Sequence, residues 1–478
     1  MRLLSLSVWD QNIAVGVPDS PKKNWFTIIT GPNGSRKSLL LRLISSAAQG
    51  YGTSKIGDHP SIPVKFNGGS GEKPSHVIAI AGTAFDRFQW RTPQAPARRR
   101  PSERQRASYA YFGLKAANGV MSAVHSMRLI GMALLRKRDV LTQRAASLVT
   151  VLTFLELSPH VTVRLRRASR LNSVAKNIVE KKPSRGEFDP TTLRGALKEA
   201  LSKGTDAGDP DVAEFVETVM ADRSRRERLK NTLAKFPIDI DFDLSAGTYV
   251  TSADIDDFDL EIMIRAGLVN ISDLRFSTPG ETEHEFSDLL HLSAGDLSSG
   301  QWQILLSMFG VALEATKDAL IIIDEPENSL HPEWQREYLP LLEHVLAPFE
   351  GCHVVIATHA PLIVSGIKNK KGNILQLVAD DRSRLGIGVK DLEPTYGWDA
   401  RKVLETLFGM GTTRAVQFVA ASDQALSMVK DGATDGARFR KLVNEINETA
   451  DLLPNDDPMR MIVRALNRVA SNPVVQND

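Results

Sequence analysis

Two adjacent carboxylates, Asp324 and Glu325, end the apolar run from Ala319 to Ile323 and stand immediately before Pro326. A buried strand that delivers two acids to one point can support phosphate hydrolysis. One carboxylate joins the water shell of a nucleotide-bound Mg²⁺ ion, and the other polarises the attacking water. On this reading Asp324 serves the metal and Glu325 the water. A core strand that ends in an acidic turn has the same local pattern, so the pair gains meaning only from partner motifs elsewhere in the chain.

The first partner is an apolar strand pattern, Phe26 to Thr30, running into Gly31, Pro32, Asn33, Gly34, Ser35, Arg36, Lys37 and Ser38, with a helical pattern behind it. This is the composition of a phosphate-binding loop (P-loop). Its glycines let consecutive N–H groups face the phosphates, and the following helix presents its positive end. Lys37 is spaced to reach the β- and γ-phosphates and Ser38 to ligate Mg²⁺, so ATP with Mg²⁺ is the expected ligand pair. The loop pattern wants glycine before the lysine, and this chain has Arg36. Either Arg36 points outward and the site works, with an extra cation near the phosphates, or it weakens nucleotide binding. A working site is the expectation.

The second partner, Leu297, Ser298, Ser299, Gly300 and Gln301, opens the apolar-periodic stretch from Trp302 to Leu313. Ser298 or Ser299 suits a helix cap, and free N–H groups there could hold a γ-phosphate. Alone, the segment reads as an ordinary capped core helix. Together with the loop and the acidic strand, it makes the chain resemble the ABC-type ATPase family, whose Leu-Ser-Gly-Gly-Gln signature it closely matches. The resemblance implies that one subunit's signature closes over another's phosphate loop, sandwiching two ATP molecules in a head-to-tail dimer or a higher homo-oligomer. It also implies that His359, at the end of the β-branched run from Cys352, is a switch histidine contacting the γ-phosphate. Ser329 to Pro332 sits where the family places a loop that faces the opposite active site. A strand-end histidine and a pre-helix turn also have plain structural readings, and the order of motifs is what lends them weight. The match is close over residues 1–90 and 285–380.

The chain has 478 residues and a net charge of +2, so it exceeds one ordinary domain, and global charge says little about partners. Its one cysteine, Cys352, excludes an internal disulfide and a multi-cysteine zinc site, and points to a reducing cytoplasm. No apolar run approaches a membrane span and the first residues lack a signal-peptide core, so a cytoplasmic protein with no membrane association is expected.

About 260 residues separate the phosphate loop from the signature, so a large insertion divides one nucleotide-binding head. The expected architecture is α/β: a P-loop ABC-type ATPase head with a large helical insertion and a C-terminal helical module. The expected parts are 1–115 (first half of the head), 116–236 (helical insertion arm), 237–387 (second half, with signature, acidic strand and switch histidine) and 388–478 (helical module for docking or assembly). Gln89 lies near the position of the family's Mg²⁺-touching glutamine without a firm assignment. The basic stretch Arg98 to Arg106 reads as a solvated loop or a DNA contact. Asp189 and Pro190 suit the start of a helix. The arm is too short, and too interrupted by Pro183, Gly204, Gly208 and Pro210, for the long coiled coil of chromosome-maintenance ATPases. Ile238 to Leu244 alternates acids with apolar residues, as a solvated edge strand or a metal site would.

The motif order, the modest insertion and the Tyr396-Gly397-Trp398 tail resemble the ATPase subunits of anti-phage systems of the Septu type and their retron-associated relatives. That resemblance implies assembly with a separate HNH-type nuclease, and in the retron subtype with a reverse transcriptase and non-coding RNA or DNA. All ten histidines lie at or before His359, so the C-terminal segment has no histidine-metal nuclease of its own. Val416 to Leu426 reads as helix rather than as the acidic nuclease domain of the overcoming-lysogenisation-defect class. Three functions follow: a regulatory ATPase that grips a nuclease effector, an ATPase acting directly on DNA, or a nucleotide-dependent scaffold disabled by Arg36. A transporter head is least favoured.

Overall fold

Parallel strands covered on both faces need near-continuous β-branched and aliphatic runs, and four such runs build the centre of this molecule. In the computed structural model the described residues are 3–9, 11–16, 23–51, 53–54, 62–68, 73–83, 88, 107–113, 123–167, 222–253, 260, 263–264, 268–278, 291–450 and 452–471. In chain order the strands are β1 (Leu3–Val8), β2 (Gln11–Ala14), β3 (Trp25–Thr30), β4 (Thr53–Ser54), β5 (Ile62–Gly68), β6 (His76–Ala81), β7 (Ser108–Phe112) and β8 (His160–Arg167). They continue as β9 (Ile238–Asp243), β10 (Thr248–Thr251), β11 (Val269–Ser277), β12 (His291–Ser293), β13 (Leu320–Asp324), β14 (His353–Ala357), β15 (Gly372–Ala379) and β16 (Ile387–Leu392).

The main sheet has the order β16-β15-β3-β14-β13-β6-β7. All its pairings are parallel except β15 with β16. Every residue of β3, β6, β13 and β14 is buried. Their register aligns the carboxyl ends: Asp324 pairs with both Ala81 and Ala357, and Ala357 pairs with Ile29. The starts of four loops, after β3, β14, β13 and β6, are therefore brought to one sheet edge, where open parallel sheets bind ligands.

Helix α1 (Lys37–Ala48) follows β3 and buries Leu39, Leu40, Leu41, Leu43 and Ile44. The antiparallel sheet β2-β1-β5-β4 adds Leu3, Leu6, Val8, Ile13 and Val64 to the same core. A buried polar network crosses this core. Leu3 N–H donates to His353 Nδ1 at 3.0 Å, which leaves the proton on Nε2 to donate to Thr27 Oγ1 at 2.9 Å, and Thr27 in turn meets Asn373 Oδ1 at 2.8 Å.

Helices α2 (Ala123–Lys137) and α3 (Leu141–Phe154) were expected in an insertion arm, yet their described contacts run into the head. Arg144 donates to the carbonyls of Ala312 (2.8 Å) and Ala315 (3.0 Å), Ser147 donates to Val345 O, and Lys137 lies 3.0 Å from Glu314. The segment 116–236 is not uniformly helical either. β8 joins the antiparallel sheet β10-β9-β8-β11-β12, its period-two residues Val161, Val163 and Leu165 buried. Helix α4 (Arg223–Ala234) is capped by Asp222. β9 is interior in this sheet, not a solvated edge. Its acids serve cross-strand pairs and a turn: Asp239 with Arg164 at 2.8 Å, Asp241 with Thr162 at 2.6 Å, and Asp243 with Ser245.

The signature helix α5 (Ser299–Ile304) passes through a π turn (Leu305–Phe309) into α6 (Gly310–Glu314). Helices α7 (Pro332–Val345) and α8 (Pro361–Val364) follow the acidic strand and β14. The expected boundary at 388 cuts through a hydrogen-bonded strand pair, since Gly388 of β16 faces Val378 of β15, and the compact units divide instead at Val403 and Leu404. Helix α9 (Ala400–Leu407) runs through this division. The second unit contains α10 (Val416–Lys430), α11 (Ala437–Ala450) and α12 (Met459–Ser471), packed around Ala425, Phe439, Val443, Ile446, Val463 and Leu466. Val416 to Leu426 is helical, as its pattern suggests. Gln89, Arg98 to Arg106, Pro183, Asp189, Pro190, Gly204, Gly208 and Pro210 lie outside the described residues.

Candidate active site

The loop between β3 and α1 has the backbone that phosphate binding requires. Gly31 (φ 152°), Gly34 (φ 80°) and Arg36 (φ 67°) all carry positive φ, and Pro32, Asn33 and Gly34 are exposed at its tip. A Cβ on Gly31 would meet Leu377 O at 2.7 Å and Ser35 Oγ at 2.9 Å, so the loop seats against β15 only with glycine there. Lys37, 5% exposed, donates from Nζ to the carbonyls of Gly31 (3.1 Å) and Pro32 (3.3 Å). Burial lowers its pKa, and the charges of Glu325, Asp324 and Glu327 act in the opposite direction.

Arg36 occupies the left-handed conformation that the loop pattern reserves for glycine, at a cost of roughly 1–2 kcal/mol for a residue with a Cβ. Its side chain turns away from the loop tip. Nη1 donates to Leu385 O, and the guanidinium lies against Gly386, where an added Cβ would sit 3.4 Å from it.

Ser38 Oγ donates to Asp324 Oδ1 at 3.2 Å. A hydroxyl and a carboxylate so close, both hard oxygen donors, fit two positions on one Mg²⁺ ion. Next in the chain, Glu325 adopts φ 48°, its N–H held by Ala357 O at 2.8 Å. This strained turn aims the side chain back across the sheet edge. Oε2 accepts from Asn328 Nδ2 at 3.2 Å, and Oε1 stands 3.6 Å from His359 Nε2. Burial lowers the pKa of His359, Lys37 adds to that, and Glu325 opposes it. A neutral imidazole is favoured beside a carboxylate at a distance longer than a direct hydrogen bond.

The signature residues meet a different neighbour. Ser298 Oγ accepts from Gln301 N–H at 3.2 Å, and Gln301 Oε1 accepts from Ser298 N–H at 2.9 Å, which is a capping box. Gly300 is buried against the turn after the acidic strand: a Cβ there would meet Ser329 O at 2.9 Å and the Trp334 ring at 3.4 Å. Ser298 and Ser299 are exposed. His331 caps α7 by accepting from Glu333 N–H.

Sequence reasoning missed three positions. Gly82 follows β6, and a Cβ there would lie 2.0 Å from Glu325 O; the signal was a glycine at an apolar strand end. Asn328 and Glu327 stand in the acidic turn itself, where Asp324 and Glu325 account for both hydrolytic tasks and leave a third acid without a sequence signal. Glu327 Oε1 accepts the His359 backbone N–H at 2.5 Å.

Residues 155–365 match the family model described as AAA domain, putative AbiEii toxin, Type IV TA system. A stretch of 108 residues is 27% identical to the Septu protein PtuA of Bacillus thuringiensis, covering 22% of this chain and 26% of that protein. The chain thus spans about a quarter of the length of the curated relative it matches. Among solved structures it is similar to the Smc head domain with an extended coiled coil bound to the C-terminal domain of ScpA, from Pyrococcus furiosus (11% identity, 86% of this chain and 99% of that chain, TM-score 0.32). It is also similar to the ADP form of MJ1267, an ATP-binding cassette of an ABC transporter (14% identity, 86% and 100% coverage, TM-score 0.30). The loop, the signature and the acidic strand keep the order of the ABC-type ATPases that the chain resembles, they meet on one parallel sheet, and residues 155–365, less than half of the chain, match an AAA domain model.

Proposed function

We propose that this chain binds and hydrolyses ATP, and that hydrolysis acts as a slow regulatory switch in a defence complex. The observation that carries the reading is the convergence at one sheet edge of Ser38 with Asp324 (3.2 Å) and of Glu325 with His359 (3.6 Å). Lys37 and the loop amides bind the β- and γ-phosphates. Ser38 and Asp324 hold Mg²⁺, which when bound supplies positive charge to the phosphoryl oxygens. Glu325, oriented by Asn328, polarises the attacking water, and His359 contacts the γ-phosphate. Ser298, Ser299 and Gln301 close over the phosphates of a second copy in a head-to-tail dimer.

The Septu similarity supports the wider reading. The ATPase assembles with a separate nuclease effector of the HNH type and restrains or licenses its cutting, with a reverse transcriptase and non-coding nucleic acid as further partners in a retron setting. The outward course of Arg36 supports a working site over an inactive scaffold. The test is turnover by the purified chain: Glu325→Gln is expected to lower kcat by ~10²–10⁴-fold, the span of a general base, with ATP still bound. Hydrolysis at the native rate in Glu325→Gln would refute the assignment.

A further inference from the structure

The acidic turn holds a third acid, Glu327, to which the hydrolytic reading gives no task. Its Oε1 accepts the backbone N–H of His359 at 2.5 Å, a contact between residues 32 apart in sequence. Among the described residues no hydrogen bond reaches its buried Oε2. Burial raises the pKa of this carboxyl, while the His359 N–H and the Thr358 hydroxyl act against the rise. The fully buried Tyr338 also feels the charge of Glu327. Burying a carboxylate that leaves one oxygen unpaired costs free energy that a simple turn does not need.

The use of that acid is visible in the backbone beyond β14. Three successive amides there have separate partners. Thr358 N–H donates to Ile29 O (3.1 Å), His359 N–H to Glu327, and Ala360 N–H to Thr358 Oγ1 (2.9 Å). The first belongs to the sheet and the third is local. The middle bond alone joins the histidine's own backbone to the turn that carries Glu325.

We propose that Glu327 is a positioning residue: its carboxylate clamps the His359 backbone to the acidic turn and thereby keeps the imidazole and the Glu325 carboxylate at their mutual distance. The proposal rests on the reading of Glu325 and His359 as the hydrolytic pair. Reach matters to such a clamp more than charge does. Glu327→Gln keeps an acceptor oxygen at the same reach, whereas Glu327→Asp keeps the charge and is one methylene too short.

The test measures kcat, KM and ATP affinity for both variants, in the native chain and in a His359→Ala background, with Glu325→Gln alongside. Glu327→Asp is expected to lower kcat about tenfold with ATP affinity within about twofold, and Glu327→Gln to retain most of the native rate. In the His359→Ala background Glu327→Asp is expected to cost nothing more, because two residues acting through one contact are not additive. An equal penalty in both backgrounds would overturn the proposal. So would a loss in Glu327→Gln as large as in Glu327→Asp, a parallel loss of ATP affinity, or a native rate in Glu327→Asp. If Glu325→Gln hydrolyses ATP normally, the hydrolytic reading itself has failed. If Glu325→Gln is inactive while the Glu327 and His359 effects are additive, only the clamp has failed.

Discussion

Arg36 adopts a backbone conformation that L-residues avoid, and it does so while its guanidinium holds a carbonyl at the turn after β15. The strain and the tether oppose one another. A hydrogen bond from a charged donor contributes about 1.5–3 kcal/mol, comparable with the cost of left-handed backbone. Arg36→Gly relieves the strain and loses the tether, so its stability and ATP affinity are expected near native. Arg36→Ala keeps the strain without the tether, and is expected about 1 kcal/mol less stable than Arg36→Gly, with weaker nucleotide binding. Thermal unfolding and nucleotide titration of the two variants check this, and an alanine variant equal to the glycine variant would show that the left-handed backbone costs nothing. Gly82 and Gly300 carry a related lesson. Each is glycine because a neighbouring backbone carbonyl, of Glu325 or Ser329, lies where a Cβ would go.

Among the elements, α2, α3 and α6 meet the starts of β6 and β7 in a buried charged cluster. His76, 8% exposed, lies 3.5 Å from Glu314 Oε2 and against Ser108, and Lys137 and Arg144 bear on the same region. Burial pushes the His76 pKa down to about 4, Glu314 works against that, and Lys137 and Arg144 reinforce it. The unfolded chain takes up this proton near the ordinary value of 6.5 and the folded chain only near 4. Stability from neutral His76 is therefore whole above pH 6.5 and is lost as pH falls from about 6.5 towards 4. The melting temperature is expected to fall over that window, and His76→Gln, which takes up no proton, should show a shallower fall. Identical slopes in the two proteins would assign the acid sensitivity elsewhere.

For the whole molecule, the exposed end of the signature helix bears on assembly. Ser298 and Ser299 are exposed at the tip of the signature helix, while Gly300 is occupied with its own chain's Ser329 turn. A second copy can reach the two serines without unpacking the helix. In the proposed head-to-tail dimer, Glu325→Gln with ATP and Mg²⁺ is expected to run at twice the monomer mass, and Ser299→Glu in that background should return it to monomer. Light scattering with and without ATP reads both, and a mass indifferent to nucleotide would exclude the nucleotide sandwich. Among the described residues no helix is long and apolar enough to cross a membrane.

The residues of the candidate site were legible because their patterns are local. A glycine-bearing loop between strand and helix, a strand ending in Asp324 and Glu325, and a capped helix at Ser298 are each set by propensity, capping and hydrophobic period within a few residues. The same locality misled the reading of 116–236, where the helical periodicity of α2 and α3 hid the short alternation of β8. Whether an alternating strand such as β9 is an edge depends on which partners fold against it. Only tertiary structure decided that Arg36 faces Leu385, that α2 and α3 bind the head, and that Glu327 reaches His359. Each of these is a contact between residues far apart in the chain, determined by sheet register and close packing rather than by any local pattern.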